Sequence, residues 1–180
     1  MCSSDLRTAI EPVEMRQPSW ATLYVTPYGR VYALYNLREH PLPQRSSVGF
    51  FFKYSDDHGE TWSENRYEIP IRKIALDREA GSTGGWSVCP PVALGSDVLV
   101  SYARTAPPGR RLGQGFVFRS DNLQRERDPA KIRWEMLPAG DHGIRADDVP
   151  SSMQEEHIIT PLSQRERSEE HTSELQSRQS

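Results

Sequence analysis

The sequence predicts an all-β protein, and three observations carry that prediction. Apolar residues alternate with polar ones in short runs, the pattern of half-buried strands. The runs are punctuated by 14 prolines and 12 glycines in 180 residues, too many for a helical protein. No stretch sustains the helical period of about 3.6 residues over three turns.

The elements follow in order. Ala21–Thr26 carries Leu23 and Val25 and ends at the turn Pro27-Tyr28-Gly29. In Arg30–Asn36, Val31, Ala33 and Tyr35 alternate against Tyr32, Leu34 and Asn36, so the two runs should form a hairpin. A loop rich in Pro, Arg and Ser spans Arg38–Ser47. Val48–Tyr54 is dense in aromatics and short, which reads as a buried strand. After a turn at Ser55–Thr61, Trp62–Ile71 should return antiparallel. Gly81–Gly85 reads as a turn-rich break, and Val92–Leu94, Asp97–Ala103 and Gly115–Arg119 as three further strands. Ile132–Leu137 should pair with the last of these, and His157–Leu162 should form a final strand. Asp121–Arg127 is the best helical candidate, but Pro129 follows and only a turn is expected there.

Two apolar runs end alike. Phe52-Lys53-Tyr54-Ser55-Asp56 and Phe116-Val117-Phe118-Arg119-Ser120-Asp121 are each followed by a return strand bearing a tryptophan, Trp62 or Trp134. Ser55 and Ser120 lie 65 positions apart, a length that suits one decorated blade of a propeller. One blade cannot bury both of its faces, so repetition around an axis is the physical solution.

The motif Ser55-Asp56-Asp57-His58-Gly59-Glu60-Thr61-Trp62 fits Ser-x-Asp-x-Gly-x-Thr-Trp at every fixed position. The spacing has a mechanical meaning. Asp57 can accept hydrogen bonds from backbone N–H groups of its own turn. Gly59 supplies a conformation closed to residues with a Cβ. Ser55 and Thr61 can bond the turn from its two legs, and Trp62 would bury its ring beneath it. Ser55, Asp57, Gly59, Thr61 and Trp62 are therefore expected to be structural, and His58 to be a solvated turn residue.

This motif resembles the Asp-box of sialidases (neuraminidases) and other bacterial neuraminidase-repeat proteins. Tyr28-Gly29-Arg30-Val31-Tyr32, Phe118-Arg119-Ser120-Asp121-Asn122-Leu123, Asp128-Pro129-Ala130-Lys131-Ile132-Arg133-Trp134 and Asp141-His142-Gly143-Ile144-Arg145 are similar to the same group, so the resemblance runs from about Trp20 to Leu162. It implies a partial six-bladed β-propeller, two to three blades of it, over residues 7–166. The ends carry a resemblance of their own. Arg167–Ser177 (RSEEHTSELQS) resembles the translation of a sequencing-library adapter, and Met1–Leu6 (MCSSDL) the reverse complement of the same adapter. Residues 1–6 and 167–180 are accordingly expected to be non-native and the tail disordered, in a metagenomic fragment cut at both ends. Without Cys2, Cys89 stands alone and no intrachain disulfide can form. A fragment with two raw blade faces is expected to aggregate or stay partly disordered.

The resemblance also marks candidates for chemistry. Sialidases carry a Glu just before an apolar strand that ends near a Leu. Glu156 resembles that Glu, with Ile158 and Ile159 as the apolar pair and Leu162 as the Leu. In the family this carboxylate takes the proton of a Tyr nucleophile, whose phenol is mostly un-ionised at neutral pH. Equally, Glu155 and Glu156 read as a solvated charge pair ahead of a strand. The family's arginines grip the substrate carboxylate through bidentate geometry. Arg38, at a strand end, and Arg145, on a loop with Asp147 and Asp148, are the candidates here. Arg72 sits on the return strand of the box in a Pro-Ile-Arg order and does not match. No Tyr follows Glu156, so the nucleophile, the acid/base Asp and part of the Arg set would lie elsewhere in the parent protein.

The implied function is an exo-sialidase-like glycoside hydrolase that removes a terminal sialic acid or related acidic sugar from glycans, with this fragment inactive by itself. The alternative is a non-catalytic propeller that binds glycans or proteins. The expected partner is a glycan. A net charge of −3 argues against nucleic acid and anionic membranes, and no apolar run is long enough to span a bilayer. No cofactor is expected, since His40, His58, His142 and His157 lack metal-ligand spacing and no phosphate-cradling glycine loop is present. A secreted, periplasmic or cell-surface location is implied by the resemblance alone.

Overall fold

A computed structural model of the chain describes residues 16–39, 47–80, 84–106, 112–146 and 156–161. The expected adapter ends, Asp147, Asp148, Glu155 and Leu162 fall outside the described residues. The described residues are built of antiparallel strands with almost no helix.

Strands β1 (Arg16–Val25), β2 (Val31–Glu39), β3 (Ser47–Ser55) and β4 (Tyr67–Ile69) form a four-stranded meander in the order of the chain. The alternation read from the sequence sets its register, with Tyr24 opposite Tyr32 and Tyr32 opposite Tyr54. The β1–β2 turn closes where Gly29 N–H donates to Thr26 O and Thr26 N–H to Arg30 O. Gly29 takes a φ of +91°, which a Cβ would disfavour. The return strand is shorter than expected. Ser63 ties residue 63 back to Tyr54 through a backbone bond of 2.8 Å, but ladder pairing waits until Tyr67.

The second sheet repeats the plan. Strands β5 (Gly84–Trp86) and β6 (Val92–Leu94) line one edge of β7 (Asp97–Thr105), which pairs with β8 (Gly113–Ser120), and β8 pairs with β9 (Glu135–Leu137). β5 and β6 are one interrupted edge strand. Residues 87–91 bridge a gap that residues 100–102 cover on β7. Each sheet is thus effectively a four-stranded antiparallel meander.

The core lies between the two sheets. Phe50 packs on Tyr102 and Phe118 with ring centroids 5.0 and 5.8 Å apart, and Phe52 stacks on Tyr67 at 5.3 Å. Val98, Val100, Phe116, Leu123 and Met136 complete the layer. Such aromatic pairs add to simple area burial. Strand β2 is buried on both faces from Tyr32 to Leu37.

Three further elements differ from the sequence reading, each for a local reason. A six-residue helix, α1 (Ala75–Ala80), joins the sheets. Asp77 reaches back to accept the Ile74 N–H at 2.9 Å, and Ile74, Ala75 and Leu76 are buried. One and a half turns are too few to show a helical period. Gly84 and Gly85 are strand residues, not part of a turn. A Cβ on Gly85 would stand 2.6 Å from Tyr102 Oη and 2.8 Å from the Ala103 carbonyl oxygen, so the glycine permits a close approach. Finally, residues 156–161 form no strand. Glu156 has a φ of +55°, which breaks an extended path. The segment is held by its side chain and carbonyl instead: His157 Nε2 meets Phe116 O at 2.8 Å, and Cys89 Sγ donates to His157 O at 3.2 Å.

Candidate functional site

The turn after β3 is a closed hydrogen-bond cage. Ser55 Oγ donates to Asp57 Oδ1 at 2.7 Å while accepting the N–H groups of Asp57 and Gly59 at 3.3 and 2.8 Å. Asp57 Oδ1 also accepts the Thr61 N–H at 2.9 Å, and Oδ2 accepts the Thr61 hydroxyl at 2.5 Å. These bonds, the Ser55 hydroxyl foremost, hold the Asp57 carboxyl down at about 2. His58 and Gly59 both take positive φ, +61° and +96°, which turns the chain sharply. His58 is exposed, and the half-buried Trp62 ring lies against Gly59, 3.8 Å from where a Cβ would stand. Every acceptor position of Asp57 in these bonds faces the turn itself.

The second turn is wired on a related plan, without a counterpart to the Thr61 hydroxyl bond. Ser120 Oγ accepts the Leu123 N–H at 3.1 Å and lies 3.3 Å from Asn122 Oδ1. Asn122 Oδ1 accepts the Arg133 N–H at 2.9 Å, the residue before Trp134, just as Asp57 accepts the residue before Trp62. Asn122 therefore occupies the place of Asp57. The sequence repeat aligned Ser-Asp with Ser-Asp, but the working residue lies one position further on. The longer excursion between the legs carries a 3-10 turn at Pro129–Lys131, capped by Asp128. Its Lys131 carbonyl accepts from Asn122 Nδ2 at 3.0 Å, and an amide can supply that donor where a carboxylate cannot.

Arg30 joins the two turns, and the sequence reading missed it. Its guanidinium grips Asp56 through Nε at 2.7 Å and Nη2 at 2.9 Å, and Nη1 donates to Arg127 O at 2.7 Å. It also lies 4.1 Å from the Tyr54 ring centroid. Tyr28 adds a bond to Glu126 O at 3.0 Å. The Asp56 contact raises the affinity of Arg30 for its proton and lowers the Asp56 carboxyl. The only advance signal was the place of Arg30 in the run Tyr28-Gly29-Arg30-Val31-Tyr32, and the register that pairs Val31 with Ser55 brings it to the box.

These contacts place both boxed turns at the same end of the two sheets. Register then places Arg38, Arg145 and Glu156 toward the other end. Arg38 pairs with Ser47, far from the Val31–Ser55 pair beside the box. Ile144 bridges Gly115 near the start of β8, and Arg145 follows it, with Nη1 3.0 Å from His142 Nδ1. His157 packs against Gly115, which puts Glu156 in the same region. Glu156 is exposed and makes no hydrogen bond or ion pair among the described residues. The end is shared, but among the described residues no hydrogen bond or ion pair joins Glu156 to Arg145.

Two further arginines sit at that end. Arg104 and Asp77 form a largely buried ion pair that crosses from β7 to α1. Arg72 donates to the carbonyls of Met136, Pro138 and Gly140 at 2.9, 2.8 and 2.6 Å. That clamp gives Arg72 a bracing task. Among the described residues, no helix is long and apolar enough to cross a membrane.

The chain matches no protein-family model and no curated protein.

Proposed function

We propose that the chain is part of a sialidase-like β-propeller, roughly two to three blades of it, from an exo-acting glycoside hydrolase of acidic sugars. The observation that carries this reading is the cage of Ser55, Asp57, Gly59 and Thr61 at the β3–β4 reversal, which makes bond by bond the turn that the motif implies. Its counterpart at Ser120 and Asn122, at the same reversal of a second meander, supports a repeating blade. Burial of β2 on both faces suits a sheet stacked between neighbours.

In this reading the box end is scaffold and the opposite end carries chemistry. Glu156 would act as the base for a Tyr nucleophile supplied by the rest of the parent protein, and Arg38 and Arg145 would contribute to binding the substrate carboxylate. A fluorogenic sialoside assayed with the complete parent protein tests it. Turnover lost in Glu156→Gln with an unchanged fold is the expected outcome, and no turnover above background sinks the hydrolase reading.

One observation favours a second reading. Glu156 is exposed and unpaired among the described residues, on a left-handed backbone position rather than on a strand. A glycan-binding propeller without turnover would need no poised base there. Saturable sialoside binding to the parent protein, without hydrolysis, would support it.

A further inference from the structure

Residues 156–161 are fastened to the second sheet through one residue. His157 Nε2 lies 2.8 Å from Phe116 O, and a carbonyl only accepts, so Nε2 carries the proton. Nδ1 is then the bare nitrogen, buried and without a hydrogen-bond partner among the described residues. The ring rests on the backbone of β8. A Cβ on Gly115 would stand 3.1 Å from its Cε1 and 3.2 Å from its Nδ1, so a glycine there lets the ring approach. A second bond reaches the main chain of the same residue: Cys89 Sγ donates to His157 O at 3.2 Å, and Cys89 is itself buried.

The rest of the segment contributes no such bond. Among the described residues, positions 158–161 make no hydrogen bond or ion pair, and Ile158 is 74% exposed. Glu156 directly precedes the anchor. It is exposed, sits at a φ of +55° and makes no hydrogen bond or ion pair of its own among the described residues. A carboxylate that works on a reacting group must be held to within about 0.5 Å by its supporting residues. Here the support on the page is the neighbouring imidazole.

We infer that His157 is a positioning residue for Glu156, holding it beside the start of β8 through the Nε2–H bond to Phe116 O, with Gly115 as the seat of the ring. The inference rests on the reading of Glu156 as the base in the parent protein. What the position needs is one N–H donor, since the acceptor is a main-chain carbonyl. A glutamine can supply that donor. A leucine fills similar space and cannot.

Two measurements test it. The first uses the full chain with Cys2→Ser, which leaves Cys89 as the one thiol. N-ethylmaleimide then reports how often the segment lifts from Cys89. His157→Leu should speed labelling about tenfold, the worth of one hydrogen bond, with an unchanged circular dichroism spectrum. His157→Gln should restore the slow rate, and Ile158→Ser, at an exposed position, should leave it unchanged. The second uses the parent protein and a fluorogenic sialoside. His157→Leu should lower kcat about a hundredfold at nearly constant KM, and His157→Gln should recover most of it.

Labelling that His157→Leu does not speed overturns the inference, as does labelling that Leu and Gln speed alike or that Ile158→Ser speeds equally. So does a His157→Leu parent that keeps its kcat or loses only KM. A wild-type parent without turnover is a different failure. It sinks the hydrolase reading, and the role of Glu156 with it, while the labelling rates still report whether His157 anchors the segment.

Discussion

Asn122 is where the second turn departs from the first, and Asn122→Asp asks what that departure does. The amide carbonyl accepts from Arg133 N–H, and a carboxylate could keep that bond. The amide nitrogen donates to Lys131 O at 3.0 Å, and a carboxylate would set oxygen against oxygen at that distance. Asn122 is 3% exposed, so water cannot relieve the clash. Losing one hydrogen bond and leaving a buried acceptor facing a charge should destabilise the chain by about 2–3 kcal/mol at neutral pH. Over a domain of this size that is a fall of about 5–10 °C in the thermal midpoint. The effect must depend on pH. A protonated carboxyl can donate to Lys131 O and restores the bond. With about 1.36 kcal/mol per pKa unit, the same penalty puts the folded-state pKa of the introduced group about two units above its unfolded value, near 6. A folded pKa that is raised leaves the acid form unpenalised. The deficit should therefore be absent below about pH 4, grow between about pH 4 and 6, and be constant above. Urea titrations of both proteins from pH 4 to 8 measure it. An Asn122→Asp chain as stable as the parent at pH 8, or a deficit that ignores pH, would refute the argument that the Lys131 carbonyl demands an amide.

Three other outcomes are expected. Asp57→Ala should lower the denaturation midpoint, since it strips the acceptor from Ser55 and from Thr61 N–H and Oγ1. In the parent chain the same stabilisation should be complete above about pH 4 and drain away as pH falls through about 2, the depressed value of this carboxyl, read by acid titration of circular dichroism. Gly85→Ala should destabilise by about 1–3 kcal/mol, because the new Cβ meets Tyr102 Oη and a backbone carbonyl, whereas Gly140→Ala, with nothing within 4 Å, should change little. Equal melting temperatures for the two would contradict the close-approach account of β5. Arg30→Lys should reduce stability by about 1–2 kcal/mol, since an ammonium cannot hold both Asp56 oxygens and Arg127 O at once. A melt within error of the parent would show that the fork geometry is dispensable.

Most of the fold was legible because the strands obey a two-residue period. Tyr32, Leu34, Phe50, Phe52, Phe116 and Phe118 point to one layer, as their alternation requires. What escaped was set by contacts that local pattern does not encode. Helix α1 runs for less than two turns, too short to show its period, and the buried residues Ile74, Ala75 and Leu76 at its start look like any short apolar run. Gly84 and Gly85 carry turn composition but answer to Tyr102 across the sheet. Glu156 and His157 resemble the lead-in to a strand, yet a side chain bonding Phe116 O replaces the ladder. At the candidate site, the residue types of Arg38, Arg145 and Glu156 could be read, but their common end of the sheets emerges only from register. Arg30 was invisible as a linchpin because two of the groups it and Tyr28 address are main-chain carbonyls, which leave no trace in residue identity.

That last arrangement has an evolutionary corollary. A guanidinium and a phenol that dock on carbonyl oxygens 126 and 127 recognise a path of the main chain, to which the Arg127 side chain over the Tyr28 ring adds one contact. Exposed positions of the excursion between Asn122 and Arg133, such as Arg125 and Ala130, can therefore drift in composition while the two sheets stay fastened, whereas the buried Leu123 and the capping Asp128 are held. Variation would be tolerated at those exposed loop positions and punished at Tyr28 and Arg30, so selection at the joint falls chiefly on the β1–β2 side.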